Sequence, residues 1–384
     1  MIMKVSLCAA FNKEKDGISD YSGYLAQELA RFVDVRLVAL RHFIAEDNFY
    51  RQKAGEANEA DIVHIQFNYP YFNGDMPYRN KLLFFLKYIT KPVVITMHEV
   101  RIGYEPITSN VTPAHRRLVF NNTLFFWNFW SRLYHKDIVK RARRVIVHTR
   151  AQHEMIARLA KDKESIVLIP HGIVVIEQDK KNIAPFAAKR SLGVEGKRVV
   201  SIVGFINKKK GYALAFECLK ELPDDVMLLI AGGPMTNNLV DSRYYRCIQK
   251  EISAAGLTKR VKITGYLTVQ DIPEVMAATD ICLAPFSSLS ASGALSLCIA
   301  YNKAIIASDI EGHQEINGRV KCLELFRQGE AKDLLEKINW LLVDQNHLLG
   351  LREAAKVYSD KFSYARIAEK TALLYREVID SLYP

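Results

Sequence analysis

One pattern constrains this chain more than any other. Short apolar runs, rich in β-branched residues, alternate with amphipathic stretches, and the series occurs twice. The first series has runs at Lys4–Phe11, Val35–Leu40, Asp61–Phe67, Pro92–His98, Arg144–Thr149 and Ile166–Pro170. The second has them at Val199–Val203, Val226–Ile230, Val261–Thr264, Ile281–Ala284 and Ala304–Ala307, with a weaker one at Cys322–Leu325. Near-continuous apolar strands separated by helices belong to parallel sheets covered on both faces. Between the two series, from His171 to Gly196, the chain is polar and irregular, as a linker would be. From Gly329 to Leu382 the period and charge pattern are helical.

The expected fold is α/β, with two tandem Rossmann-like, doubly wound domains facing a cleft. Residues 1–175 form the first domain, 176–196 a linker and 197–362 the second domain. Residues 363–384 form a C-terminal helix that packs back on the first domain. A chain of 384 residues is too long for one ordinary core, in keeping with this division.

Composition narrows the class. With 49% hydrophobic and 25% charged residues, and no apolar run of membrane-spanning length, the chain reads as soluble and globular. Its start, Met1-Ile-Met-Lys-Val-Ser-Leu-Cys, reads as a first strand rather than a secretion signal. Six scattered cysteines without a CxxC pair suggest neither a zinc site nor a disulfide framework, so a cytoplasmic location is expected. A net charge of +11 suits a polyanion, an anionic membrane or a phosphorylated small molecule. Nucleic acid is the least supported of these, because no zinc-finger spacing or RNA-binding aromatic motif accompanies the charge.

Ligands of doubly wound sheets bind beyond the carboxyl ends of the strands, so residues there are the candidates. After the first strand, Gly17-Ile18 opens a helix where a phosphate or sugar hydroxyl could sit; a turn capped by Ser19 or Asp20 explains it equally well. After the third come Asn68 and Tyr69, candidates for an acceptor. After the fourth come His98, able to bond a hydroxyl or move a proton, and Glu99, able to orient it or to bind acceptor hydroxyls.

In the second series, Gly204 leads to Lys208, Lys209 and Lys210 before a helix, a pairing of cations and free N–H groups that suits a diphosphate. A solvated charge run is the plain alternative. Gly232 and Gly233 allow close backbone approach. The unit Ala284–Glu315 reads as strand, small-residue loop, helix and strand. Its Ser290, Ser292, Gly293 and Ala294 let a phosphate reach the helix start; an ordinary turn capped by Ser292 is the alternative. Separately, FNNTLFFWNFWSRLY from Phe120, followed by a run of arginines and lysines, suits an anionic membrane or a core helix with a solvated basic face.

The order of these pieces resembles family 4 of the GT-B glycosyltransferases over nearly the full chain. The matching residues are Gly17-Ile-Ser-Asp, Thr-Met-His98, Val-Leu-Ile-Pro-His-Gly172, Gly204…Lys210-Gly211, Ile-Ala-Gly-Gly-Pro234 and Ala-Ile-Ile-Ala-Ser-Asp309…Gly312…Glu315. The resemblance implies transfer of a sugar from a nucleotide-diphosphate donor, with retention, to a glycan or lipid-linked acceptor in cell-surface polysaccharide synthesis. It implies no cofactor and no metal. By position, Lys210 and the Ser292-Gly293-Ala294 amides would neutralise the donor diphosphate, His98 would contact the reacting sugar, and Gly17 and Ile18 would line the cleft. Closure of the domains would exclude water.

The chain also departs from the family. Two glutamates of the usual pattern fall at Leu289 and Leu297, and the arginine usual after the glycine is replaced near Phe205 and Asn207. These losses leave open a non-catalytic GT-B protein that binds a nucleotide sugar or a partner enzyme. A sugar-nucleotide epimerase of the same fold is a further alternative.

Overall fold

The computed structural model describes residues 2–11, 17–74, 76, 79–103, 114–234, 239–287 and 293–382. They form two compact units: unit 1 is Met1–Gly172 with Tyr364–Pro384, and unit 2 is Ile173–Ser363.

Unit 1 contains β1 (Lys4–Ala9), β2 (Asp34–Ala39), β3 (Ile62–Phe67), β4 (Val93–Met97), β5 (Arg144–Val147) and β6 (Ile166–Leu168). They make one parallel sheet in the order β2-β1-β3-β4-β5-β6. Unit 2 contains β7 (Arg198–Val203), β8 (Val226–Ala231), β9 (Val261–Ile263), β10 (Ile281–Ala284), β11 (Ala304–Ser308) and β12 (Glu324–Phe326). Its sheet, also parallel, runs β12-β11-β10-β7-β8-β9. The strand order reverses between β1 and β3 in unit 1 and between β7 and β10 in unit 2, the two places where such sheets receive ligands.

The apolar runs are continuous because each strand is covered twice. In β7, Val200 and Ile202 join one buried cluster while Val199 and Val203 join the other. In β11, Ile306 lies in the first cluster and Ile305 in the second. Unit 1 differs. One face of its sheet is apolar, with Val63, Ile65 and Phe67 of β3 in the core. The alternate residues His64 and Gln66, with Thr96 of β4, are buried and polar.

Two boundaries differ from those expected. Residues 176–196 are not a free linker but part of unit 2, with short helices at Gln178–Lys181 and Pro185–Ser191. Ala188 and Val194 are buried, and Lys189 pairs with Asp280 at 2.7 Å, which ties this segment down. The chain returns to unit 1 at Tyr364 rather than at 363. The returning helix, Tyr364–Asp380, sets Tyr364 against Tyr21 and Tyr375 against His64.

Candidate active site residues

In unit 2, three of the residues expected to hold the donor, Lys210, Gly232 and Ala294, lie close together with Gly204 near the strand-order reversal. Lys210 ends a single 3-10 turn, Lys208–Lys210, that Asn207 starts by accepting the Lys209 N–H on its Oδ1 at 3.0 Å. The Lys210 ammonium donates to the Val203 carbonyl at the end of β7, at 3.0 Å. It also lies 4.1 Å from the centre of the Phe286 ring, just past the end of β10. One cation thus spans the two strand ends that flank the reversal. Burial pulls its pKa down to about 8.

Small residues surround this ammonium. A Cβ placed on Gly204 would stand 3.2 Å from Lys210 Nζ and 3.0 Å from Ala294 Cβ, so Gly204, Lys210 and Ala294 meet at one point. Gly232 packs its backbone on Gly204: an added Cβ would meet the Gly204 carbonyl at 2.2 Å. Gly233 lies against the Tyr266 backbone. Gly293 is exposed at the start of the helix Gly293–Ala300. Lys208 and Lys209 are exposed and stand apart from the buried ammonium. Ser290, Ser292 and Leu289 lie outside the described residues. Leu297 packs its side chain against the core.

His313, which follows β11 and which the sequence offers as a phosphate contact, is buried. Its ring Nδ1–H donates to the Ser308 carbonyl at 2.8 Å, and its buried Nε2 has no hydrogen-bond partner among the described residues. The ring sits 5.7 Å from Phe286, and burial lowers its pKa to about 4.

In unit 1, His98 follows β4 as expected but belongs to a buried polar chain. Gln66 bridges two imidazoles, its Oε1 lying 2.9 Å from His98 Nε2 and its Nε2 3.1 Å from His64 Nε2. His98 Nδ1 lies 3.3 Å from His148 Nε2, and His148 Nδ1–H donates to the Ile169 carbonyl at 2.8 Å. Gln152 holds the His98 backbone by donating to its carbonyl at 3.0 Å. Tyr21 packs on His98, His148 and His171, with ring centres 4.8, 5.3 and 4.9 Å away.

With Gln66 Oε1 toward His98, Nε2 of His98 carries a hydrogen, and a hydrogen bond between His98 and His148 then requires one of those two rings to be charged. With the amide turned by half a revolution, the His98 ring is neutral and Nε2 accepts. Burial, with three other imidazoles close by, holds the His98 pKa well below 6.5 and favours the neutral form.

The remaining candidates of unit 1 are less uniform. Glu99 does not orient His98; it pairs with Arg101 at 2.5 Å. Tyr69 is buried, and its hydroxyl is engaged by His135 Nε2 at 2.9 Å and by the Arg101 N–H at 3.2 Å, which makes it a support rather than an open contact. Asn68 is half-buried at the end of β3. Gly17 is the exposed first residue of the helix Gly17–Leu29, with Ile18 half-buried beside it. Ser19 and Asp20 lie inside that helix rather than capping it.

Residues 186–358 match the family model "Glycosyl transferases group 1". The chain has the GT-B fold, and this stretch is similar to the group 1 glycosyl transferases. That stretch lies within unit 2, the unit that holds Lys210.

The 2-deoxystreptamine glucosyltransferase of Streptomyces kanamyceticus is 26% identical over 233 residues, 58% of this chain and 57% of that protein. The alpha-D-kanosaminyltransferase of the same organism is 26% identical over 257 residues, 63% of this chain and 62% of that protein. The matched region therefore spans about three-fifths of each of these relatives. Among solved structures, Anabaena Alr3699/HepE in complex with UDP and glucose has a TM-score of 0.71 at 17% identity, covering 98% of this chain and 100% of that one.

Proposed function

We propose that this GT-B protein is a retaining glycosyltransferase of family 4. It moves a sugar from a nucleotide-diphosphate donor to a glycan or lipid-linked acceptor of cell-surface polysaccharide synthesis. The observation that carries this reading is Lys210, a buried cation bridging the ends of β7 and β10 among small residues. Negative charge builds on the diphosphate as the glycosidic bond breaks, and a fixed ammonium in a dry setting stabilises it most. Gly204, Gly232 and Ala294, being small, let the surrounding backbone close in around this ammonium.

His98 serves the sugar as a neutral ring whose hydrogens are set by Gln66 and His148. The glucosyltransferase among the relatives, and the UDP held by the Anabaena protein, make UDP-hexoses the first donors to test. The work takes place at the cytoplasmic face of a membrane. Among the described residues no helix is long and apolar enough to cross one.

Leu297 favours a second reading, a GT-B protein that binds a nucleotide sugar without turning it over, because no carboxylate stands there to hold the donor. Calorimetry with UDP, GDP and a panel of nucleotide sugars, followed by assays of donor hydrolysis and transfer, separates the two. Binding with turnover and an unchanged anomeric configuration supports the retaining enzyme. Binding without turnover on any glycan or lipid-linked acceptor supports the second. No binding of any nucleotide removes both. Chelation of divalent metals leaves the turnover unchanged.

A further inference from the structure

The helix Leu124–Arg141 buries one stripe, Ser131, Tyr134, His135, Ile138 and Val139, at the spacing of a single helical face. Its opposite face is divided along the axis. In the first half Phe125, Phe126, Phe129, Trp130 and Leu133 are exposed, Phe125 to 86%. In the preceding helix, Ala114–Asn122, Leu118 and Val119 are exposed as well.

Toward the C-terminal end of Leu124–Arg141 the exposed charged residues are Arg132, Lys136, Lys140 and Arg141, with Asp137 as the acid among them. Among the described residues none of these cations forms an ion pair. Exposed aromatics in this number are unusual on a protein surface that meets only water.

We propose that this face docks on an anionic lipid bilayer, with the aromatic half immersed at the level of the headgroups and upper acyl chains and the basic half lying on the lipid phosphates. The charge selects the occupant. A purely apolar protein partner would leave four cations facing one acid uncompensated, whereas a phosphate surface answers them all. The side chains agree with this choice, because aromatic rings settle at the water–lipid boundary and long basic chains reach from it to the headgroups. The distance along the axis from Phe129 to Lys140 is about 16 Å at the usual rise of a helix, so the helix lies obliquely rather than flat. The inference names the surface that would hold the protein at a membrane and does not depend on the proposed sugar transfer, since it is read from exposure and charge alone.

Co-sedimentation of the full-length protein with vesicles tests it. One set is pure phosphatidylcholine; the other is equal parts phosphatidylcholine and phosphatidylglycerol. The protein should sediment with the second set only, should be released by salt, and should show a blue shift of tryptophan emission that Trp130→Phe removes. Lys136→Glu with Lys140→Glu should weaken binding at least tenfold, and so should Phe125→Ser with Phe129→Ser.

Both double variants should melt as the wild type does and keep its affinity for nucleotide, so that a failure of the docking surface and a failure of the donor site are told apart. Three results overturn the proposal. One is no sedimentation with the anionic vesicles. Another is sedimentation that neither double variant reduces. The third is a concentration-dependent dimer, dissolved by Phe125→Ser with Phe129→Ser, in a protein that ignores vesicles.

Discussion

Lys210 carries a charge that its surroundings by themselves disfavour. Its ammonium is desolvated, touches one carbonyl and a ring face among the described residues, and is held to a pKa of about 8 by that burial. An arriving diphosphate supplies what is missing, so donor binding and protonation of Lys210 are coupled. Because the depressed pKa leaves the ammonium present below about 8 and lost above it, affinity for UDP should fall as pH rises through that value. The fall can reach about tenfold per pH unit, since one proton is involved. Lys210→Ala should weaken UDP at least tenfold and abolish this pH dependence, both measured by calorimetry.

His98 makes a second prediction at the same scale. Gln66→Glu would place an acceptor with negative charge beside His98 Nε2, 2.9 Å away in the present geometry, and so raise a pKa now held well below 6.5. The expected result is an upward shift of the acid limb of the kcat/KM profile, matched by the His98 ring signals in an NMR titration. A residue that only fills space would leave both in place.

Among the elements, the loop from β7 to the following helix depends on Gly211. Its φ of 69° lies in the left-handed region, and an added Cβ would meet the Pro285 carbonyl at 2.0 Å. Gly211→Ala should therefore cost at least about 2 kcal/mol in denaturant unfolding, and more where the loop cannot shift away.

This element also shows what is legible in the sequence. The strands of the second sheet are evident because their apolar runs are nearly unbroken, which follows from cover on two faces, and those of the first because their runs are still mainly apolar. Lys210 is evident because its run of lysines follows a strand end. Phe286 is not, since nothing local says that the residue past β10 lies under a lysine from the loop after β7; only the parallel neighbouring of those strands does. Gln66 escapes for the same reason. It sits on a strand face that alternation alone would make apolar, and its tie to His98 follows from the pairing of β3 with β4. The segment 176–196 reads as a linker because its helices are too short to show a period, and its few buried residues are scattered among charges.

At the scale of the molecule, the two units differ in how they should respond to acid. Unit 1 buries His64, His98 and His135 and half-buries His171, and desolvation lowers the pKa of each, to about 3 for His64 and about 4 for His171. In unit 2, His313 is the one described histidine so affected, with a pKa of about 4. Above 6.5 these rings are neutral in both the folded and the unfolded chain, and their contribution to stability does not change with pH. Below it the unfolded chain takes up protons that the folded rings refuse, so stability falls as pH drops from 6.5 toward the folded values. Each ring contributes a slope of about 1.4 kcal/mol per pH unit in that window, and unit 1 has several where unit 2 has one. Hydrogen exchange should therefore quicken in Ile62–Phe67 well before it does in Arg198–Val203 as the protein is taken from neutral pH toward the lower end of that window. Equal loss of protection in the two strands would mean that the imidazoles of unit 1 accept protons in place, with the Gln66 oxygen facing His98.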